Sequence, residues 1–161
     1  MIEPDDLIRE LGTEGLCETA ETYYRNVANP GRLKRKPFDE PSRTPQLLSR
    51  LGQLLSGMRL AKGHRVVDFG AGTCWISNWL CLMKCKVHAV DPSRTALGYG
   101  RELAESYQRV YPDLEAPDFI AFDGERLPLG DESVDRIICY DAFHHVPNVE
   151  AMLVEFTRIL K

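Results

Sequence analysis

The carboxylates with the clearest chemical role follow short apolar segments. Asp68 ends the first of these segments and is followed almost at once by Gly70, Ala71 and Gly72. Glycines at such a turn let a ligand approach the backbone without meeting a Cβ atom, and a sharp strand-to-helix turn is expected to leave N–H groups free for it. The arrangement predicts a turn that binds a nucleotide or a nucleoside.

A second carboxylate, Asp91, stands at the end of the apolar segment 86–90. It lies about 20 residues beyond the glycines, where an acid can accept hydrogen bonds from both ribose hydroxyls of a nucleoside. A nicotinamide-dependent oxidoreductase would use the same acid and stays an alternative. Trp75, however, occupies the position at which a dinucleotide site has its third glycine. This residue favours a nucleoside without a pyrophosphate.

Alternating strands and helices are expected to position these acids. The sequence predicts strands at residues 66–68, 86–90, 119–122 and 134–140. Helices are predicted at residues 74–83, after a cap at Ser93, and after a cap at Asn148. This alternation predicts an α/β fold with a Rossmann-like, doubly wound parallel sheet.

The first 58 residues carry helical patterns instead. Leu7, Ile8 and Leu11 predict a short first helix, and residues 16–27 a second one. A third helix is predicted to begin with Thr44 as its cap and Pro45 at its first position. We therefore divide the chain into an N-terminal helical segment, 1–58, and a sheet-bearing part, 59–161. The basic loop between the second and third helices is interpreted as a solvated surface.

Composition sets limits on the class of protein. The chain has 161 residues with 43% hydrophobic content, enough for one core, and its net charge of −4 does not favour a polyanion partner. Five cysteines at irregular spacing do not form a disulfide framework, and we expect them to be small buried side chains in a reducing cytosol. We expect a cytoplasmic protein without a membrane segment or a metal site.

Four segments, taken together, resemble a known family. The sequence VVDFGAGT at residues 66–73 resembles motif I of the class I S-adenosylmethionine-dependent methyltransferases, and VDPS at 90–93 resembles their second motif. FDGERLPL at residues 122–129 resembles the segment before their fourth strand, and YDAFHHV at 140–146 the loop after it. The resemblance covers residues 65–161 and implies S-adenosyl-L-methionine as cofactor.

The resemblance also implies roles for individual residues at the cofactor. Asp68 would order the glycine turn and face the methionine amino group, while Asp91 would hold the ribose hydroxyls. Asp123 would accept a hydrogen bond from the adenine amino group. The remaining implied cofactor contacts are Gly70, Ala71, Gly72, Pro92, Gly124, Tyr140 and Asp141.

The implied catalytic residues are His144 and His145, near the transferred methyl group. Histidine titrates near neutral pH and can remove a proton from a hydroxyl or an acidic carbon. The same loop lacks the Asn/Asp-Pro-Pro-aromatic motif and the Pro-Cys nucleophile of nucleic-acid methylation. We therefore expect a small-molecule or metabolite acceptor and no nucleic acid. A noncatalytic nucleoside-binding domain is the alternative from another class.

Three further expectations come from the family. Cys74 stands where a glycine is usual and is expected to alter how closely the methionine moiety approaches the turn. The N-terminal helices are expected to form a lid, with Tyr23, Tyr24 and Phe38 lining the acceptor site. The four strands are expected in the order 3-2-1-4 with the last three strands of the family missing, so that residues 1–161 alone would be poorly soluble or molten and inactive.

Overall fold

A computed structural model describes residues 4–161, with side chains described from residue 10 onward. The apolar side chains of Leu7 and Ile8, on which the predicted first helix rests, lie outside this part. The helices are α1 (Pro4–Asn26), α2 (Pro30–Leu33), α3 (Thr44–Met58), α4 (Trp75–Leu82), α5 (Arg94–Val110) and α6 (Val149–Ile159). The strands are β1 (Arg65–Phe69), β2 (Lys86–Asp91), β3 (Asp118–Ala121) and β4 (Arg136–Ile138), and a 3₁₀ helix spans Phe143–His145.

The four strands form one parallel sheet with the order β3-β2-β1-β4. Val67 of β1 pairs with His88 on one side and with Ile137 on the other. The predicted fold class and strand order are confirmed. The fourth strand is shorter than the predicted segment 134–140, and Val134 forms only an isolated bridge to Leu160.

Helices cover both faces of the sheet. Val66 of β1 packs in one cluster with Leu51 of α3 and Leu80 of α4, whereas its neighbour Val67 packs on the other face with Ile159 of α6. Adjacent residues of a strand point to opposite faces, so a strand buried on both faces is apolar at every position. This burial fixes the carboxyl end of β1, where Asp68 stands. The boundary at residue 58 stays a prediction.

Two of the three predicted helix caps are confirmed. The side chains of Ser93 and Asn148 accept hydrogen bonds from the N–H groups of the third residue beyond, at 3.0 Å each, as predicted. The predicted cap at Thr44 is wrong, because this residue is already helical. Its hydroxyl donates to the carbonyl oxygens of Pro37 and Glu40, at 2.6 and 3.0 Å.

The N-terminal helix α1 contains a break at Gly12, whose φ and ψ are 60° and −171°. Only glycine adopts this backbone conformation readily, so α1 consists of two helical pieces, as the sequence predicts. The second piece packs against α5. No helix in the described part of the chain is long and apolar enough to span a bilayer.

Candidate active site

The glycine turn after β1 satisfies its own hydrogen-bond donors. The N–H groups of Gly70 and Ala71 both donate to the carbonyl oxygen of Val90, at 2.8 and 2.9 Å. The N–H of Gly72 donates to the Asp91 carboxylate at 2.7 Å. The expectation of free N–H groups is therefore wrong for these three residues. Such a turn binds to β2 and offers little to a phosphate group, which needs unpaired donors.

Close approach is the reason for glycine at this turn. Gly70 and Gly72 have φ values of 73° and 54°, in the left-handed region that glycine adopts readily. A Cβ atom on Gly70 would clash with Ala142, and one on Gly72 would lie 2.8 Å from the hydroxyl oxygen of Tyr24. Each glycine therefore admits a neighbouring segment of chain to the turn.

Cys74 is held at φ 58°, a left-handed conformation that side chains rarely adopt. This explains why glycine is usual at the position. The thiol is fully buried and points toward Gly100 of α5, where a Cβ atom would lie 2.5 Å from the sulfur. The side chain therefore packs against α5 and away from the surface of the turn.

Asp68 is a buried carboxylate beneath the glycine turn. Only 2% of its surface is exposed, and it accepts a hydrogen bond from the hydroxyl of Ser77 at 2.5 Å. Burial raises the pKa of Asp68 to about 6, because water no longer stabilises the charged form, and the bond from Ser77 opposes this rise. A cationic partner would favour the charged carboxylate here.

Asp91 connects the end of β2 to both neighbouring turns. One carboxylate oxygen accepts from the N–H of Gly72, and the other accepts from the N–H of Ser93 at 2.9 Å. Burial raises the pKa of Asp91 to about 6, against the effect of these two bonds. A carboxylate offers about four acceptor positions, so further donors can still bind. Pro92 lies between Asp91 and Ser93 in the chain.

Helix α1 lies across the ends of β2 and β3. Thr13 packs so closely on Gly124 that a Cβ atom there would clash with it. Cys17 follows Thr13 by four residues, on the same face of α1. Burial raises the pKa of its thiol, and the carboxylates of Asp123 and Asp91 raise it further. Asp123 itself is exposed and accepts from the N–H of Glu125 at 3.1 Å.

Glu21 fixes this helix to the start of α5. Its carboxylate accepts hydrogen bonds from the hydroxyls of Ser93 and Thr95, at 2.7 Å each, and from the N–H of Thr95 at 3.1 Å. These bonds hold the pKa of Glu21 at about 2, well below its usual 4.5, although burial acts in the opposite direction. Glu21 was not predicted from local sequence patterns, because its partners lie more than 70 residues away.

A cavity of about 100 Å³ opens on the other side of the turn. It brings together six of the predicted site residues with Tyr24 and with side chains that the prediction missed, above all Lys36, Asp39 and Arg43. The six predicted residues are Asp68, Gly70, Ala71, Gly72, Tyr140 and Asp141. The basic loop supplies part of this wall through Lys36, whose side chain is exposed, as the interpretation of a solvated surface expects.

The other predicted site residues lie elsewhere. His144 and His145 belong to the 3₁₀ helix after β4, are exposed, and have ring centroids 3.9 Å apart, outside the wall of this cavity. Partial burial of its ring nevertheless lowers the pKa of His145, and His144 lowers it further. Of the predicted lid aromatics, Phe38 is 62% exposed and packs against Trp79, and Tyr23 packs edge-on against Tyr24.

The fold is an α/β fold with one parallel sheet, and the predicted cofactor residues Asp68 and Asp91 lie at the carboxyl ends of its two central strands. Residues 67–161 match the family model of the methyltransferase domain. The chain therefore belongs to the methyltransferase domain family. Members of this family use S-adenosylmethionine.

Individual relatives agree with this membership. Methyltransferase GfsG of Streptomyces halstedii is 29% identical over 113 residues, which are 68% of this chain and 38% of the relative. A SAM-dependent methyltransferase of Aquifex aeolicus is 27% identical with a TM-score of 0.62, over 81% of this chain and 67% of that one. The chain thus spans well under half of the length of GfsG.

The similarity to a third solved structure supports only a shared fold. This SAM-dependent methyltransferase of Geobacter sulfurreducens, crystallised with S-adenosyl-L-homocysteine, is 24% identical and has a TM-score of 0.55. The match covers 73% of this chain and 45% of that one.

Proposed function

We propose that this chain binds S-adenosyl-L-methionine at the carboxyl edge of the sheet and transfers a methyl group to a small-molecule acceptor. The observation that carries the proposal is the bond between Asp91 and the glycine turn in a chain of the methyltransferase domain family. Because the N–H groups of Gly70, Ala71 and Gly72 are already paired, a nucleoside without a pyrophosphate is favoured over a dinucleotide. When bound, the cofactor supplies a sulfonium methyl group that is primed for in-line displacement.

Each residue of the turn has a defined part in this proposal. Asp91 accepts hydrogen bonds from the ribose hydroxyls with the acceptor positions that its two backbone bonds leave. Asp68 faces the amino group of the methionine moiety, whose positive charge offsets the cost of burying the carboxylate. Asp123 accepts from the adenine amino group. Gly70 and Gly72 line the methionine and the ribose, while Ala142 and Tyr24 fill the space where their Cβ atoms would lie.

Helix α1 acts as a lid in this proposal. Thr13 and Cys17 lie over the ends of β2 and β3, where the adenosine would be held, so α1 must move to admit it. Closure of such a lid excludes water and holds the reacting atoms in line. Glu21 is the residue that holds the lid closed, through its bonds to Ser93 and Thr95.

We propose His144 or His145 as the base that takes a proton from the acceptor. The lowered pKa of His145 keeps its ring neutral at neutral pH, which leaves a nitrogen free to accept a proton. Both histidines follow Asp141, which lines the cavity, by only a few residues. The acceptor is then a small molecule bound at this loop in a cytoplasmic enzyme.

A turnover assay tests this proposal. Methyl transfer from radiolabelled S-adenosylmethionine is measured for the protein against a panel of hydroxyl, amine and acidic-carbon acceptors, with duplex DNA and transfer RNA included. We expect transfer to at least one small molecule and none to nucleic acid. Labelling of nucleic acid alone would contradict the assigned acceptor class. Tight cofactor binding with no turnover on any acceptor would favour the noncatalytic alternative.

A further inference from the structure

The connection between β3 and β4 contains no helix of its own in the part of the chain that the structure describes. It runs from residue 122 to residue 135 and joins strands that lie at opposite edges of the sheet. Parallel strands are usually joined through a helix, whose backbone bonds fix its shape. Contacts with other elements must therefore fix the shape of this connection, which carries Asp123.

The guanidinium of Arg158, in α6, donates five hydrogen bonds, as many as it has N–H groups. Three of them reach the connection. Two of these bind the carbonyl oxygens of Leu129 and Leu127, at 2.8 and 3.1 Å, and the third binds the carboxylate of Asp131 at 2.6 Å. The other two bind the carboxylate of Glu155, at 2.8 and 2.5 Å. A lysine could not replace these bonds, because it lacks the planar fork of donors.

Glu155 completes this contact from one turn earlier in α6. Its carboxylate accepts the N–H of Leu127 at 2.8 Å in addition to the two bonds from Arg158. Only 8% of Glu155 is exposed, and the bonds from Arg158 hold the pKa of its carboxyl below the usual value, against the effect of burial. Both backbone groups of Leu127, its N–H and its carbonyl, are therefore bonded to α6 through this pair.

Asp123 lies in a short segment between two fixed points. At one end the N–H of Phe122 donates to the carbonyl oxygen of Asp91 at 3.2 Å, and at the other end Leu127 is held by α6. Three of the four residues between them, 123–126, are exposed. The contact of α1 with this segment is lost when the lid opens. Each residue of chain spans at most ~3.6 Å, so a displacement of Leu127 also displaces Asp123.

We propose that Glu155 and Arg158 are positioning residues for the recognition of adenine. By holding Leu127, they place the carboxylate of Asp123 where it accepts from the adenine amino group. The Asp123 carboxylate accepts one bond from the N–H of Glu125 at 3.1 Å, which leaves acceptor positions for this amino group. The inference rests on the proposed function, in which Asp123 contacts adenine, and it adds the pair that acts through Asp123.

Two ligands that differ only in the adenine amino group provide the test. Calorimetry compares S-adenosylhomocysteine with its 6-deamino analogue, in which a hydrogen atom replaces this group, on the wild type, Arg158→Lys, Asp123→Ala and the double variant. The wild type should prefer S-adenosylhomocysteine roughly tenfold, because the analogue lacks a donor to a charged acceptor. Arg158→Lys keeps the charge but not the five donors, so its preference should fall to about threefold or less.

The double variant distinguishes positioning from a general effect on folding. Because Arg158 acts through Asp123 in this proposal, Arg158→Lys should leave the ratio of the two affinities unchanged in the Asp123→Ala background. Lys161→Met is the matched control. Lys161 forms an ion pair of 2.8 Å with Asp135 at the other end of the same connection, so its loss should leave the ligand ratio at the wild-type value.

The possible results separate two failures. A wild-type ligand ratio in Arg158→Lys, with unchanged circular dichroism, would overturn the inference, and so would equal weakening of both ligands or a wild type that does not distinguish them. If Arg158→Lys does not fold, Glu155→Gln gives the same test, since it keeps an oxygen for the N–H of Leu127 and loses the charge that faces Arg158. If S-adenosylhomocysteine does not bind the wild type, the proposed function itself fails. Binding with an unchanged ratio in the variants is a failure of the positioning pair alone.

Discussion

Glu21→Gln should release helix α1 from the start of α5. The carboxylate accepts three hydrogen bonds from Ser93 and Thr95, at 2.7, 2.7 and 3.1 Å, and 20% of its side chain is exposed. Hydrogen bonds to a charged group contribute ~2 kcal/mol each when well formed. Partial exposure of Glu21, and the contacts that the new Gln amide keeps, reduce the net loss of stability at this contact to ~2 kcal/mol in all. The amides of α1 should therefore exchange with deuterium roughly 30-fold faster in the variant.

The same bonds predict a pH dependence. The pKa of Glu21 is about 2 in the folded protein and 4.5 when its partners are absent. A lowered pKa contributes stability above the unfolded value, and this contribution is lost as the pH falls toward the folded value. The difference between wild type and Glu21→Gln should be full above about pH 5 and should shrink toward pH 2.

Glu18→Gln is the control for this experiment. Glu18 is exposed on the same helix, and its side chain forms no hydrogen bond within the described residues. It should leave the exchange of α1 unchanged. An exchange rate in Glu21→Gln within about twofold of wild type would refute the reasoning, since these bonds would then contribute almost nothing. A difference that persists unchanged near pH 2 would refute the assignment to the charge.

Three other predictions address the core and the site. Gly70→Ala should destabilise the protein by ~2 kcal/mol or more, because φ is 73° and the new Cβ atom meets Ala142. Gly57→Ala, in open space on α3, should stabilise it by ~0.5 kcal/mol. Urea unfolding measures both changes in stability. Asp68→Asn should raise the free energy of unfolding by ~1–2 kcal/mol at neutral pH, because a buried charge is removed. That gain should shrink as the pH falls from about 6 and should vanish below about 4, because the carboxyl is then protonated in both the folded and the unfolded wild type. A gain independent of pH would contradict this cause. His144→Ala or His145→Ala should lower turnover more than it weakens cofactor binding, because a base acts in the transition state; unchanged turnover in both, with a verified acceptor, would leave positioning as the only mechanism.

Local patterns predicted the parts of the fold that depend on local chemistry. Asp68 and Asp91 were found at strand ends because apolar runs mark the strands, and Ser93 was found as a cap because its side chain bonds within one helical turn. The same logic failed at Thr44, whose hydroxyl bonds backward to a loop instead. The hydroxyl has two partners there, and sequence spacing does not show them.

Contacts between distant segments could not be predicted. Glu21 reaches Ser93 across 72 positions, and Leu33 reaches Thr73 across 40, so neither pair leaves a periodic signal. The paired donors of the glycine turn depend on the carbonyl of Val90, which becomes a neighbour only when β2 lies beside β1. For the same reason the place of Lys36 at the cavity was not predicted, although its side chain is exposed, as the interpretation of a solvated loop expects.

The most direct test of the central claim is calorimetric titration of the protein with S-adenosylhomocysteine and, separately, with NAD. The account predicts 1:1 binding of S-adenosylhomocysteine, no comparable binding of NAD, and a loss of about a hundredfold in affinity in Asp91→Ala, because two ribose hydroxyls lose a charged acceptor. The exposed control Asp113→Ala should bind as the wild type does. Preference for NAD, or wild-type affinity in Asp91→Ala, would contradict the account.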